Sequence, residues 1–125
     1  MHSSHVFIEN SLRIEQDEND SEVRLTWTGR STEREPARFL TPILDGALQR
    51  SRAEARPLVL DFRSIEYMNS STFTPLVVAL EQARSEGGNV RLLFRSNLKW
   101  QNLSFSALRI FETLDKRIEL CGVDG

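Results

Sequence analysis

Pro57-Leu58-Val59-Leu60-Asp61-Phe62-Arg63-Ser64-Ile65-Glu66-Tyr67-Met68-Asn69-Ser70-Ser71-Thr72-Phe73-Thr74 is the stretch on which the reading of this chain turns. Leu58, Val59 and Leu60 form an apolar run that predicts a buried strand. Asp61, Phe62, Ile65, Tyr67 and Met68 carry the chain into the hydroxyl-rich turn Asn69-Ser70-Ser71-Thr72, and Pro75-Leu76-Val77-Val78-Ala79-Leu80 opens a buried helix. A strand that hands over to a helix through hydroxyls sets a modifiable oxygen beside unpaired backbone N–H groups and the positive end of a helix dipole. An anion added there is well received.

Working outward, Gly87-Gly88 closes the helix by permitting a left-handed cap. Its start is expected at Ser71 or at Thr74, the latter because Thr74 as cap with Pro75 at the first helical position is a good start signal. Val90 to Phe94 reads as a strand, the stripe Leu103, Ala107, Ile110, Phe111 and Leu114 as a third helix, and Ile118 to Cys121 as a final strand. Upstream, Val6 to Ile8 and Leu12 to Ile14 read as short opening strands broken at Asn10-Ser11, and the polar run Gln16 to Ser21 as a loop. Val23, Leu25 and Trp27 alternate with Arg24, Thr26 and Thr28, the period of a half-buried strand, which Gly29 is expected to end. Phe39, Leu40, Ile43, Leu44, Ala47 and Leu48 recur at helical spacing. Pro42 inside that pattern marks either the helix start or a bend, and a bend is the expectation.

Strands followed by helix, strand, helix, strand, helix, strand require an α/β fold with a mixed, largely parallel sheet of four to six strands and about three packed helices. At 125 residues the chain is the size of one domain, with residues 1–20 as peripheral opening strands and loop and 21–121 as core. The net charge of −2 supplies no field for nucleic acid or an anionic membrane surface. No apolar run approaches the ~20 residues that span a bilayer, and Met1 to His5 lacks a signal peptide's basic start and apolar centre, so a cytoplasmic protein is expected. Cys121, the one cysteine, is read as a small buried hydrophobe in the last strand.

Catalytic and cofactor constellations are sparse. His2 and His5 stand at the start of the chain with no cysteine near, which makes neither a metal site nor a serine–histidine–acid triad. Gly87-Gly88 lacks phosphate-loop spacing. Asp61 and Glu66 form a conceivable acid/base pair, but a carboxylate at a strand end more often bonds loop backbone. Arg91, Arg95, Lys99 and Arg109 with Trp100 and Phe105 read as a solvated face with core aromatics rather than a nucleic-acid surface, and Trp100 as a candidate contact for a protein partner. No enzyme and no cofactor is expected.

The segment Leu58 to Phe62, Ile65 to Met68, Asn69-Ser70-Ser71-Thr72, a helix, Gly87-Gly88-Asn89 and the strand from Val90 resembles the STAS domain of bacterial anti-sigma-factor antagonists, over about residues 20 to 121. In that family the turn reads Asp-Ser-Ser-Gly or Asp-Ser-Thr-Gly, and the serine after the acid is phosphorylated by a partner kinase of the histidine-kinase-like ATPase fold. That serine falls on Ser70, with Ser71 and Thr72 as fallback acceptors and Asn69, Ser71, Thr72 and Thr74 as the partner-binding surround. Asn69 stands for the usual aspartate and Thr72 for the usual glycine; asparagine still caps a helix, without the charge. The resemblance implies that unphosphorylated protein binds an anti-sigma factor, that phosphorylation releases it, and that a PP2C-type phosphatase restores binding. Gly29-Arg30-Ser31, Pro36, Phe39 and Pro42-Ile43-Leu44-Asp45 are also similar to a STAS-like group that binds and activates diguanylate cyclases, which implies a cyclase as the alternative target. A constitutive scaffold or small-ligand module of the same fold, without modification, is the remaining alternative.

Overall fold

The computed structural model describes residues 3–124. Six strands line up in chain order, β1 (Ser3–Glu9), β2 (Leu12–Glu18), β3 (Val23–Ser31), β4 (Leu58–Met68), β5 (Val90–Arg95) and β6 (Ile118–Val123). The first two junctions are antiparallel and the last three parallel. The helices are α1 (Ala37–Ala53), α2 (Ser70–Glu86) and α3 (Lys99–Ser106), the last running into a 3-10 segment (Ala107–Phe111). The mixed, largely parallel α/β sheet with three helices is the architecture that the alternation of patterns requires.

Register explains the core. Val23, Leu58, Val90 and Ile118 stand side by side across four strands, and Leu25, Leu60, Leu92 and Leu120 form the next row; all eight are buried. Their common face meets the helices through Leu40, Leu44, Leu76, Leu80 and Phe105. Each such aliphatic side chain contributes roughly 1.5–3 kcal/mol by leaving water. Trp27, Phe62, Phe105 and Phe94 close one end with ring centroids 4.7, 4.9 and 5.7 Å apart in succession. The other sheet face has no helix on it and carries Arg24, Thr26, Asp61, Arg91 and Glu119, together with Cys121, which is half-buried there rather than packed in the core.

Before α1, three local expectations differ from what is found. β2 runs through Gln16, Asp17 and Glu18, because Gln16 and Glu18 face inward and are bonded there: Gln16 Nε2 donates to Glu18, and Arg50 and Arg56 donate to the same carboxylate at 2.9 and 3.0 Å. Burial pushes the Glu18 carboxyl up, but these bonds outweigh it and hold it below its ordinary value. Leu12 and Ile14 are core residues, so of the opening segment only β1 is peripheral. Gly29 does not end β3 but makes an irregularity within it: its φ is +87°, and a Cβ there would lie 1.9 Å from the Ser11 carbonyl oxygen, which accepts from Arg30 N–H. Pro42, by contrast, lies inside α1 as expected, and is not its start.

Candidate functional site

The site is assembled where β3 and β4 end together. Ser31 and Met68 are paired at the last rung, and beyond it the chain of β4 has lost its strand partner. Asn69 satisfies that end and starts the next element at once. Its N–H donates to the Ser31 carbonyl at 3.0 Å, and its backbone is extended with φ −75° and ψ 167°. Its side-chain Oδ1 accepts from Thr72 N–H at 3.1 Å and from the Thr72 hydroxyl at 2.7 Å, while Nδ2 donates to the Glu33 carbonyl at 2.9 Å. This is a helix cap with a tie to the loop after β3 added. Thr72 Oγ1 also lies 2.7 Å from Ser31 Oγ, so both hydroxyls are spoken for inside the fold.

α2 therefore begins at Ser70, and the start signal at Thr74-Pro75 is overruled. The bonds of Asn69 outweigh the one donor that Pro75 withholds, and Pro75 is buried on the core side of the helix. Ser70 and Ser71 occupy the first two helical positions, where backbone N–H groups have no acceptor within the helix. Both side chains are exposed, as is Thr74, and Asn69 is half-buried.

The same geometry corrects the place of Thr72. It has 0% exposure and a fully engaged hydroxyl, so neither a kinase nor a partner reaches it in the folded state. Along the chain Ser70, Ser71 and Thr72 are alike, three hydroxyls in a polar turn; helical geometry from Asn69 onward turns Thr72 under the sheet's end and leaves the two serines outside.

Beside Ser70 lies an open groove of about 380 Å³ lined by Met68, Phe73, Ser104, Ala107 and Leu108. Its floor is firm: Phe73 stacks obliquely on Phe105 at 5.6 Å, and Phe105 belongs to the aromatic core. Sequence reasoning missed these groove residues, since nothing local couples Met68 to Ser104. It also missed Gln101, which has 0% exposure and bridges the fork where β4 and β5 part. Gln101 Nε2 donates to the Phe62 and Ile65 carbonyls at 2.9 and 3.1 Å, and Oε1 accepts from Arg95 N–H at 2.8 Å. It thereby fixes the segment that leads into Asn69.

The other candidates stand apart from this turn. Asp61 is on the helix-free face, bonded to the Arg63 side chain at 2.8 and 2.9 Å, to Arg63 N–H at 3.1 Å and to Arg24 at 3.0 Å. Burial raises its carboxyl, but the Arg63 bonds and the charges of Arg63 and Arg24 prevail and hold it lowered and ionised. It has no acid/base geometry with exposed Glu66. Trp100 packs partly buried against Phe105 at 6.2 Å. Arg91 is exposed, and Arg109 reaches back to the Leu120 carbonyl instead of outward. His5 is on β1, and His2 lies outside the described residues. Among the described residues, no cluster of His, Cys, Asp and Glu is built to hold a metal ion, and no helix is long and apolar enough to cross a membrane.

No protein-family model matches the chain, and no curated protein matches it in sequence. In three dimensions it is similar to the crystal structure of an anti-sigma factor antagonist from Mycobacterium paratuberculosis, with a TM-score of 0.54 and 16% identity over 94% of this chain and 91% of the other. The likeness is one of fold and extends over nearly the whole chain, and the fold is the STAS-like one that the strand, hydroxyl turn and helix resemble in sequence.

Proposed function

We propose that this chain is a non-catalytic signalling phosphoprotein of a bacterial partner-switching system, which binds an anti-sigma factor that is also a serine kinase when unphosphorylated and is released when Ser70 carries a phosphate. The observation that carries the reading is the exposed Ser70 hydroxyl on the first turn of α2, at the rim of an apolar groove. Phosphorylation adds about −1.5 to −2 charges and three acceptor oxygens. At the first helical position the new charge meets unpaired N–H groups and the positive end of the α2 dipole, so the folded domain tolerates it. A partner surface resting on Met68, Phe73 and Leu108 would instead have to desolvate that dianion against hydrocarbon. Release then needs no large rearrangement of the domain.

Ser71 shares the exposure and stays the fallback acceptor. A PP2C-type phosphatase would reset the switch, and a diguanylate cyclase in place of the anti-sigma factor is the alternative downstream target.

The test uses the purified chain with a candidate serine kinase of the histidine-kinase-like ATPase fold, ATP and phosphosite mapping by mass spectrometry. One phosphate is expected, lost in Ser70→Ala, and the unmodified chain should bind the kinase while Ser70→Asp does not. A phosphate that survives Ser70→Ala moves the acceptor to Ser71. Equal binding by wild type and Ser70→Asp overturns the switch and leaves a constitutive module.

A further inference from the structure

The two edges of the sheet are finished differently. At β6 the outward backbone groups of Ile118 and Leu120 are engaged by the segment that precedes the strand. Ile118 N–H donates to Thr113 Oγ1 at 3.1 Å and Ile118 O accepts from Thr113 N–H at 3.3 Å; Leu120 N–H donates to the Glu112 carboxylate at 3.0 Å and Leu120 O accepts from Arg109 Nη1 at 2.9 Å. No strand can add along Ile118 to Leu120 without breaking those bonds.

β1 has no such cover. It meets β2 through a tight turn at Asn10-Ser11 that pairs Glu9 with Leu12, so Ser3, His5, Phe7 and Glu9 spend their backbone groups on β2. The groups of Ser4, Val6 and Ile8 point away from the sheet, and among the described residues nothing bonds them. Sheet edges are ordinarily blunted by lysine, proline, a bulge or a covering segment, and among the described residues β1 has none of these. Apolar side chains are exposed on it instead, Val6 at 46% and Ile8 at 65% on the helix-free face. On the other face half-buried Phe7 and exposed His5 look into an open trough of about 710 Å³ between β1 and the Pro42, Ile43 and Gly46 stretch of α1.

We propose that β1 is a self-pairing edge: two copies of this chain join β1 to β1 antiparallel about a twofold axis at Phe7, merging two six-stranded sheets into one. The occupant is a second copy because the sequence His5-Val6-Phe7-Ile8-Glu9 complements itself in this register. Val6 meets Ile8 of the other copy twice, and these are the residues with free outward N–H and C=O groups, so the bonding parity is right. Phe7 meets Phe7 on the axis, and the imidazole of His5 faces the carboxylate of Glu9 on both sides, donor against acceptor. Glu9 gains by that neighbour, since burial and then the charge of Glu33 act to raise its carboxyl within one chain. With β6 covered at Ile118 and Leu120, the self-complementary β1 pairing is the one that closes, and the association stops at two.

Sedimentation equilibrium of the full chain over a wide dilution series should show a monomer–dimer equilibrium and no higher species. Ile8→Pro removes an N–H that the hairpin does not use and should abolish the dimer with the thermal melt of the monomer retained. Glu9→Lys should weaken association at least about tenfold, and His5→Glu with Glu9→Lys should restore it. In a Cys121→Ser background Phe7→Cys should oxidise to a disulfide-linked dimer, the two cysteines being a close non-bonded pair on the axis. A chain that stays monomeric throughout, or a dimer indifferent to Ile8→Pro, overturns the proposal. Failure of the charge swap to restore association overturns the register. None of these readouts involves Ser70.

Discussion

The start of α2 and the segment from α3 through Thr113 border one groove, yet they are held in opposite ways. At the start of α2 a single side chain, Asn69, ties together its own helix and the end of β3, and every bond in the knot is between uncharged groups. From α3 onward the polar side chains turn inward over long range, Gln101 to the β4–β5 fork and Arg109, Glu112 and Thr113 to the edge of β6. The inward turn leaves apolar side chains outside, with Leu103 at 65% and Ile110 at 76% exposure. Local capping thus leaves a surface of hydroxyls on one side of the groove, and edge sealing leaves a surface of hydrocarbon on the other.

The largest expected effect comes from cutting the deepest long-range bond. Gln101→Leu keeps the volume but leaves two carbonyls and the Arg95 N–H without partners in a dry site, and should lower unfolding free energy by about 3 kcal/mol in urea titration. A loss below that of the next variant would mean that water replaces the amide and that the fork is not sealed. Asn69→Ala removes the cap, the acceptor of the Thr72 hydroxyl and the tie to Glu33, at about 2 kcal/mol, the upper end for a cap. Hydrogen exchange should then quicken at Thr72 N–H first. Glu112→Ala loses one part-buried bond to Leu120 N–H and should cost about 1 kcal/mol. Urea midpoints in the order Gln101, Asn69, Glu112 express the contrast between long-range and local fastening; the reverse order breaks it.

That contrast also governs what was legible in the sequence. The β4 run, the hydroxyl turn, the α1 and α2 stripes and the Gly87 cap are local signals, and each element stands where its signal is; Gly87 takes φ +86°. The cap at Asn69 and the turn that holds Ser70 and Ser71 were legible, because a cap is defined by neighbours along the chain. Thr72 was not, since its burial depends on Ser31 at the end of another strand. The inward set Gln16 and Glu18 was read as loop because polarity hid that Arg50 and Arg56 complete them. The third apolar stripe was read on the wrong face for the same reason: Phe105, Leu108 and Gln101 go inward, and Leu103, Ala107, Ile110 and Leu114 outward. The error is one of phase and not of period: Gln101, Phe105 and Leu108 keep helical spacing across the change to 3-10 geometry at Ala107, and Leu103 already faces outward before it.

The smallest expected effect follows from that phase. If Ile110 were the core residue that its spacing proposes, Ile110→Ser would remove a buried aliphatic group at a cost of several kcal/mol. With three quarters of its surface already in water, the same change should stay within about 0.5 kcal/mol of wild type. Leu108→Ala, two positions away and buried, should cost about 2 kcal/mol or more. The pair of melts reads the helix phase directly: similar losses for the two would place Ile110 inside and undo the account of a segment whose polar side chains face the sheet. A neutral Ile110→Ser has a second use, since it removes exposed hydrocarbon without disturbing the fold. Partner binding that falls in this variant while the melt does not would assign the outward stripe to the same interface as Ser70.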